Sequence, residues 1–255
     1  MPKVAELVSA SEARAYFLDP VCTRPATKPD GCAPDAWHPP HGDDARPVIP
    51  GDVVRKLRDW TIHCFDGEDY LSTSTVLSIM RWGDLAHVPP FALEYGRQRG
   101  TAVDRACRCD DAGCLDEAAL DDKLRPYVEA WRAFRAREPW QPGTTEALVL
   151  QPWTCTFGYT DRVGWFDRVT TVLDLKTSDF VGTAFSLQLA SYLTGPRERA
   201  CAVQLTPDGT YALHWLDHAM NWRKRWEALA HEAHAYVREE EARAAQMATK
   251  KHARR

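Results

Sequence analysis

The pattern of apolar and polar positions is sharpest between residues 156 and 216. Leu173 and Leu175 alternate with Asp174 and Lys176, and side chains alternate faces in a strand, so this segment predicts one apolar and one charged face. The apolar run Val163-Gly164-Trp165-Phe166 stops at Asp167-Arg168, and Val169-Thr170-Thr171-Val172-Leu173 follows. A hairpin turning there opposes Asp161 to Asp174. Phe185, Leu189, Tyr192 and Leu193 recur at helical spacing over 183–193, and Ala200 to Leu205 reads as another strand, giving a strand, helix, strand crossover. Pro207-Asp208-Gly209 turns into a strand over 211–216, and 219–247 predicts a long helix.

Upstream, the patterning predicts a helix from about Pro90 to Cys107 and a longer one from about Glu117 to Arg137, bent before Pro126. The second carries Leu120, Leu124, Tyr127, Trp131 and Phe134 on one stripe. Thr144 to Leu150 reads as the first core strand. Trp60 to Phe65 with Tyr70-Leu71 reads as a hairpin around Asp66-Gly67, Gly51 to Asp59 as a short helix, and a further helix starts near Ser74. Residues 1–50 form a Pro-rich N-terminal extension with at most a short helix over 11–17, since its prolines oppose long helices and central strands. The remainder, 51–255, is expected to be a single domain with its core at about 90–216.

Two opposed carboxylates repel unless a cation neutralises them, and hard oxygen ligands suit Mg²⁺ or Mn²⁺. Lys176 adds a positive group beside Asp161 and Asp174, and Gln188 and Tyr192 lie one helical turn apart on a common face. Gly158-x-x-Asp161, Asp174-x-Lys176 and Gln188-x-x-x-Tyr192, in this order and on these elements, resemble the PD-(D/E)XK nuclease superfamily in its RecB-like and Cas4-like branch, and the phage recombination exonucleases most. Tyr70 to Leu77 and Arg99-Gly100-Thr101-Ala102-Val103-Asp104 resemble the segments that precede the core in those exonucleases, so the likeness spans about 70–216.

That resemblance implies an α/β fold with a mixed central sheet flanked by helices in the order αβββαβ. It implies Mg²⁺-dependent hydrolysis of DNA phosphodiester bonds, at double-stranded ends in phage or bacterial recombination and repair. Asp161, Asp174 and the Leu175 carbonyl would hold the metal. Lys176 would orient or deprotonate a water, with Gln188 and Tyr192 in support. Linear duplex DNA is the implied substrate, and a single-strand annealing protein an implied partner. The family usually carries a histidine four residues after its glycine. Here that position is Asp104, either a carboxylate ligand or an exposed residue of a degenerate motif. Glu146 matches a glutamate on the family's first strand, either paired within the site or at the strand's wet end. A catalytically inactive DNA- or protein-binding module on the same fold, such as a phage protein engaging host repair or defence machinery, is the alternative.

Composition changes this picture little. The 255 residues are 44% hydrophobic and 27% charged, as expected of a chain able to bury one substantial core. No run of about 18 apolar residues predicts a membrane span. The first residues carry no secretory signature, so the eight cysteines are expected to be reduced in a bacterial or phage-infected cytoplasm. A net charge of −4 argues against a uniformly basic surface and leaves a local groove, for which Arg97, Arg99, Arg105, Arg162 and the tail 250–255 are candidates. Cys22, Cys32, His38 and His41 lack the spacing of a zinc finger, and Cys107, Cys109, Cys114 and Cys201 lack the family's cluster arrangement. Neither structural zinc nor an iron–sulfur centre is therefore expected. Trp131, Trp165, Trp215 and Trp226 fall in apolar patterns and read as core, whereas Trp82, Trp140, Trp153 and Trp222 are less constrained.

Overall fold

A computed structural model describes residues 53–65, 67–82, 88–179 and 182–253. The N-terminal extension, with its short helix and the set Cys22, Cys32, His38 and His41, lies outside them. The elements are β1 (Val53–Leu57), β2 (Trp60–Phe65), β3 (Glu68–Ser72), α1 (Thr73–Ile79), α2 (Pro90–Asp111), α3 (Arg125–Arg137), β4 (Trp140–Gln151), β5 (Thr156–Phe166), β6 (Val169–Lys176), α4 (Thr183–Ser191), β7 (Arg199–Leu205), β8 (Tyr211–Trp215) and α5 (Ala219–Ala253). The fold is mixed α/β, a mostly antiparallel central sheet flanked by helices and followed by a long C-terminal helix. The succession α3, β4, β5, β6, α4, β7 is the αβββαβ order expected from the sequence.

The strands run β1-β2-β3-β5-β6-β7-β8, with β4 also paired to β5. The pairs β3·β5 and β6·β7 are parallel. Leu173, Leu175, Cys201, Val203 and Leu205 face α2 and α3 in one core around Trp131 and Phe134. Val172, Ala200 and Ala202 face α4 on the other side. There α4 and α5 extend the packing through Leu187, Ala190, Trp226 and Ala233. Odd residues of β6 and β7 thus face one helical layer and even residues the other, as the alternation requires.

The β5–β6 hairpin turns at Asp167 and Arg168, both in left-handed backbone at φ 50° and 67°. Two such residues make the primed turn whose twist matches a two-residue hairpin. The register pairs Arg162 with Leu173 and Phe166 with Val169, and the ladder ends one step short of Asp161 and Asp174.

Several elements differ from expectation. Residues 53–57 form strand β1 rather than a helix: Arg58 takes a left-handed φ of 53°, and the chain folds back so that Leu57 pairs with Trp60. The helix expected from Glu117 begins only at Arg125. Pro126 sits in its first turn, where a missing N–H costs nothing, instead of bending a longer helix. Residues 116–124 are turns in which Asp116 and Asp121 accept backbone N–H groups of Ala118 and Lys123, while Leu120 and Leu124 still reach the core. α2 continues to Asp111 and α5 to Ala253. Trp165 is 46% exposed, on a strand whose opposite face is the buried one, and Trp140 is in the core at 7%. An added Cβ at Gly100 on α2 would meet Thr177 Oγ1 at an ordinary 3.8 Å, so nothing packed there requires glycine.

Candidate active site

The edge of β5 not taken by β4 is shared. Its N-terminal end pairs with β3 through Thr156 and Phe157, and its C-terminal end with β6 from Arg162 onward. Between these ladders β5 leaves β6, and a fork opens at Gly158–Asp161. Asp161 bridges it: the backbone N–H of Leu175 donates to Asp161 Oδ2 at 2.6 Å. The N–H and C=O of one strand residue face the same neighbour. The Leu175 carbonyl is therefore also directed into the fork, beside the Asp161 carboxylate.

On the α4 face, Asp174 is 2% exposed and its Oδ2 forms an ion pair with the ammonium of Lys176. Gln188 ties the pair together. Its Nε2 donates to Asp174 Oδ1 at 3.2 Å and to the Tyr192 hydroxyl at 3.0 Å, while its Oε1 accepts from Lys176 Nζ at 3.2 Å. Phe185 closes over the ammonium, its ring centre 4.8 Å from Nζ. One helical turn separates Gln188 from Tyr192, which is why a single face of α4 serves both contacts. Gly158 makes room for this arrangement: a Cβ there would fall 2.5 Å from Tyr192 Cε1 and 2.8 Å from Thr73 Oγ1. Thr73 in turn bonds the Ser191 hydroxyl at 2.9 Å, fixing the end of α4 against α1.

Burial, then the charges of Asp174 and Asp104, push the Asp161 carboxyl well above the usual carboxylate range. Burial would lower Lys176, but Asp174 and Asp161 outweigh it and hold the ammonium above the ordinary lysine value. Asp161, Asp174 and Lys176 thus act on one another electrostatically in one recess. Among the described residues, no three His, Cys, Asp or Glu side chains group so as to hold a metal. That argues against a cage made entirely of side chains. Mg²⁺, however, is commonly held by one or two carboxylates with waters and substrate phosphates completing the shell. Two carboxylates and a main-chain carbonyl directed between them are hard oxygen donors that suit that mode.

The other candidates are engaged by neighbours of their own. Asp104 has both oxygens engaged, Oδ1 by Arg162 at 2.9 Å and Oδ2 by Arg108 at 3.2 Å. Glu146, in left-handed backbone at φ 49°, pairs with Arg108 at 2.8 Å. Arg162 does not face a DNA groove. It is 2% exposed, pairs with Asp104 and Asp111, and lies over the Trp131 ring at 5.4 Å, because its strand position points to the α2–α3 layer. Arg97 is exposed and forks onto Glu94. Arg99 binds the Thr177 carbonyl at 2.8 Å, and Arg105 is half-buried on the same helix.

Sequence reasoning missed the system that these residues join. Glu146, Arg108, Asp104, Arg162, Asp111, Arg135, Asp110, Arg132 and Glu117 alternate in sign along a continuous chain of ion pairs between β4, β5, α2, α3 and the turn before it. Its signal was the pair Asp110-Asp111 ending α2, matched by Arg132 and Arg135 one turn apart on α3.

No family model matches this sequence, and no curated protein matches it. Among solved structures, SSO0001 is similar at 14% identity over 68% of this chain and 79% of that one, with a TM-score of 0.34. The alkaline exonuclease LHK-Exo from Laribacter hongkongensis is similar at 14% identity over 70% and 94%, TM-score 0.35. Its complex with dAMP is similar at 15% over 69% and 93%, TM-score 0.36. Likeness of this degree carries no argument about chemistry.

Proposed function

We propose that this protein is a Mg²⁺-dependent deoxyribonuclease acting as an exonuclease on linear double-stranded DNA. The observation that carries the reading is the convergence of Asp161, Asp174, Lys176, Gln188 and Tyr192 at the fork between β5 and β6. Their sequence pattern resembles PD-(D/E)XK nucleases; the preference for DNA ends, the recombination or repair setting and an annealing-protein partner rest on that resemblance alone.

Asp161, Asp174 and the Leu175 carbonyl would hold the metal, which when bound neutralises phosphate charge and acidifies a water. Gln188, which bonds both Asp174 and Lys176, would keep the ammonium beside Asp174 when that carboxylate serves as a metal ligand. Lys176 is left to orient the attacking water and to meet the charge that grows on the phosphate oxygens. Tyr192 holds the Gln188 amide in the orientation that serves both partners. Phe185 keeps bulk water off the ammonium.

A second reading, a noncatalytic binding module, is favoured by the engagement of Asp104 by two arginines and of Asp174 by Lys176, which leaves these charges compensated without a metal. Incubation of linear and circular duplex DNA with Mg²⁺, beside an Asp174→Ala control, separates the two. Loss of linear DNA alone, abolished in the control, supports the exonuclease; cleavage of neither substrate supports the module. Among the described residues no helix is long and apolar enough to cross a membrane.

A further inference from the structure

The second and third peptide groups after the Lys176 Cα, those of Thr177–Ser178 and Ser178–Asp179, are held from both faces of the sheet. Arg99 on α2 reaches in from the α2–α3 side: its Nη2 donates to the Thr177 carbonyl at 2.8 Å and its Nε approaches Thr177 Oγ1 at 3.4 Å. From the α4 side, Gln204 on β7 donates through Nε2 to the next carbonyl, that of Ser178, at 2.7 Å. Gln204 pairs with Lys176 in the β6–β7 ladder, so the residue beside the lysine grips the segment that leaves it. His214 on β8 sits 2.9 Å from Gln204 Oε1. With Nε2 carrying the proton, it donates there and turns the amide so that its NH₂ faces Ser178. Arg99 is itself steadied between the rings of Tyr95 and Tyr127, 5.7 and 5.8 Å from their centres.

From this geometry we propose that Arg99 and Gln204 are positioning residues for Lys176, an inference that rests on the catalytic reading above. A lysine side chain has four rotatable bonds and loses rotamer freedom when it is fixed. Gln188 and Asp174 restrain its tip. Its root is restrained only if the strand end does not fray, and β6 ends at Lys176 itself. Holding the Thr177 and Ser178 carbonyls from opposite faces fixes the 177–178 and 178–179 peptide planes, which keeps the strand end from fraying back into Lys176 and so steadies the root of its side chain. Arg99 is then not a phosphate contact, although its place on α2 suggested one.

The test compares Arg99→Gln and Arg99→Lys with Gln204→Met, which loosens the same segment from the other face and serves if the arginine variants fold poorly. On linear duplex DNA with Mg²⁺, kcat falls about 10- to 100-fold in each, KM stays within about twofold, and duplex affinity in Ca²⁺ is unchanged. Amide hydrogen exchange over 177–179, without DNA or metal, accelerates. Retained kcat with a raised KM in the Arg99 variants overturns the proposal and makes Arg99 a DNA contact. Unchanged exchange in all variants overturns the clamp whatever the activity. A parent protein that cuts no DNA counts against the proposed function, while the exchange result still judges the clamp.

Discussion

Replacing Gly158 by alanine tests whether the fork is shaped around Tyr192. The new Cβ would stand 2.5 Å from Tyr192 Cε1, where carbon atoms rest at about 3.5–4.0 Å, so the ring must retreat by about 1 Å or more. Tyr192 is only 4% exposed and has little room. Overpacking of this kind costs about 1–3 kcal/mol. A 1 Å retreat also takes the hydroxyl beyond bonding range of Gln188 Nε2, now 3.0 Å away, for about 1 kcal/mol more. Urea unfolding should therefore show Gly158→Ala destabilised by about 2–4 kcal/mol. In a Tyr192→Leu background the ring is gone and only the 2.8 Å approach to Thr73 Oγ1 remains, so the same change should cost at least about 1 kcal/mol less. An equal cost in both backgrounds would refute the reasoning, because the penalty would then come from the backbone and not from the ring.

Three further outcomes follow from the same geometry. Arg162→Met removes a buried guanidinium and leaves Asp104 and Asp111 with one arginine each, Arg108 and Arg135, so it should lower unfolding stability by about 1–3 kcal/mol while leaving duplex affinity of the folded fraction unchanged. Weakened DNA binding with intact stability would return Arg162 to the groove. Lys176→Met should abolish cleavage and, by leaving two acidic groups uncompensated, raise the protection that Mg²⁺ confers in thermal unfolding above that of the parent; equal protection would speak against a metal at the fork. Burial lowers the pKa of His234, which sits 3.0 Å from the Cys155 carbonyl. The unfolded chain therefore takes up this proton first, and the contribution to stability is whole above about pH 6.5 and declines as pH falls toward the lowered folded value. His234→Gln should flatten that decline in denaturation midpoints measured from pH 7.5 to 5, and an identical slope would exclude His234 as its source.

The β5–β6 hairpin was legible because period-two alternation on both strands and the break at Asp167-Arg168 fix one register, and that ladder ends beside Asp161 and Asp174. The spacing of Gln188 and Tyr192 was legible for the same reason on a 3.6-residue period. β1 was not, because five residues with mixed polarity carry too little pattern, and its partner strand decides its form. The start of α3 was misplaced because Leu120 and Leu124 continue the apolar stripe of a helix that Pro126 does not allow to extend. The roles of Arg162 and Glu146 depend on the α2–α3 layer that β5 and β4 meet, a tertiary fact no local pattern encodes. The fork itself arises because β3 and β6 share one edge of β5, and β3 reaches it by a parallel contact between segments 85 residues apart, as between Leu71 and Thr156.

The central claim is that a divalent cation binds where β5 parts from β6. Anomalous diffraction from crystals soaked in Mn²⁺ tests it most directly. The account predicts a peak bounded by the carboxylates of Asp161 and Asp174 and the carbonyl of Leu175, at oxygen distances of about 2.1–2.2 Å, and its disappearance in Asp174→Ala. Full manganese occupancy elsewhere with none at the fork would contradict it.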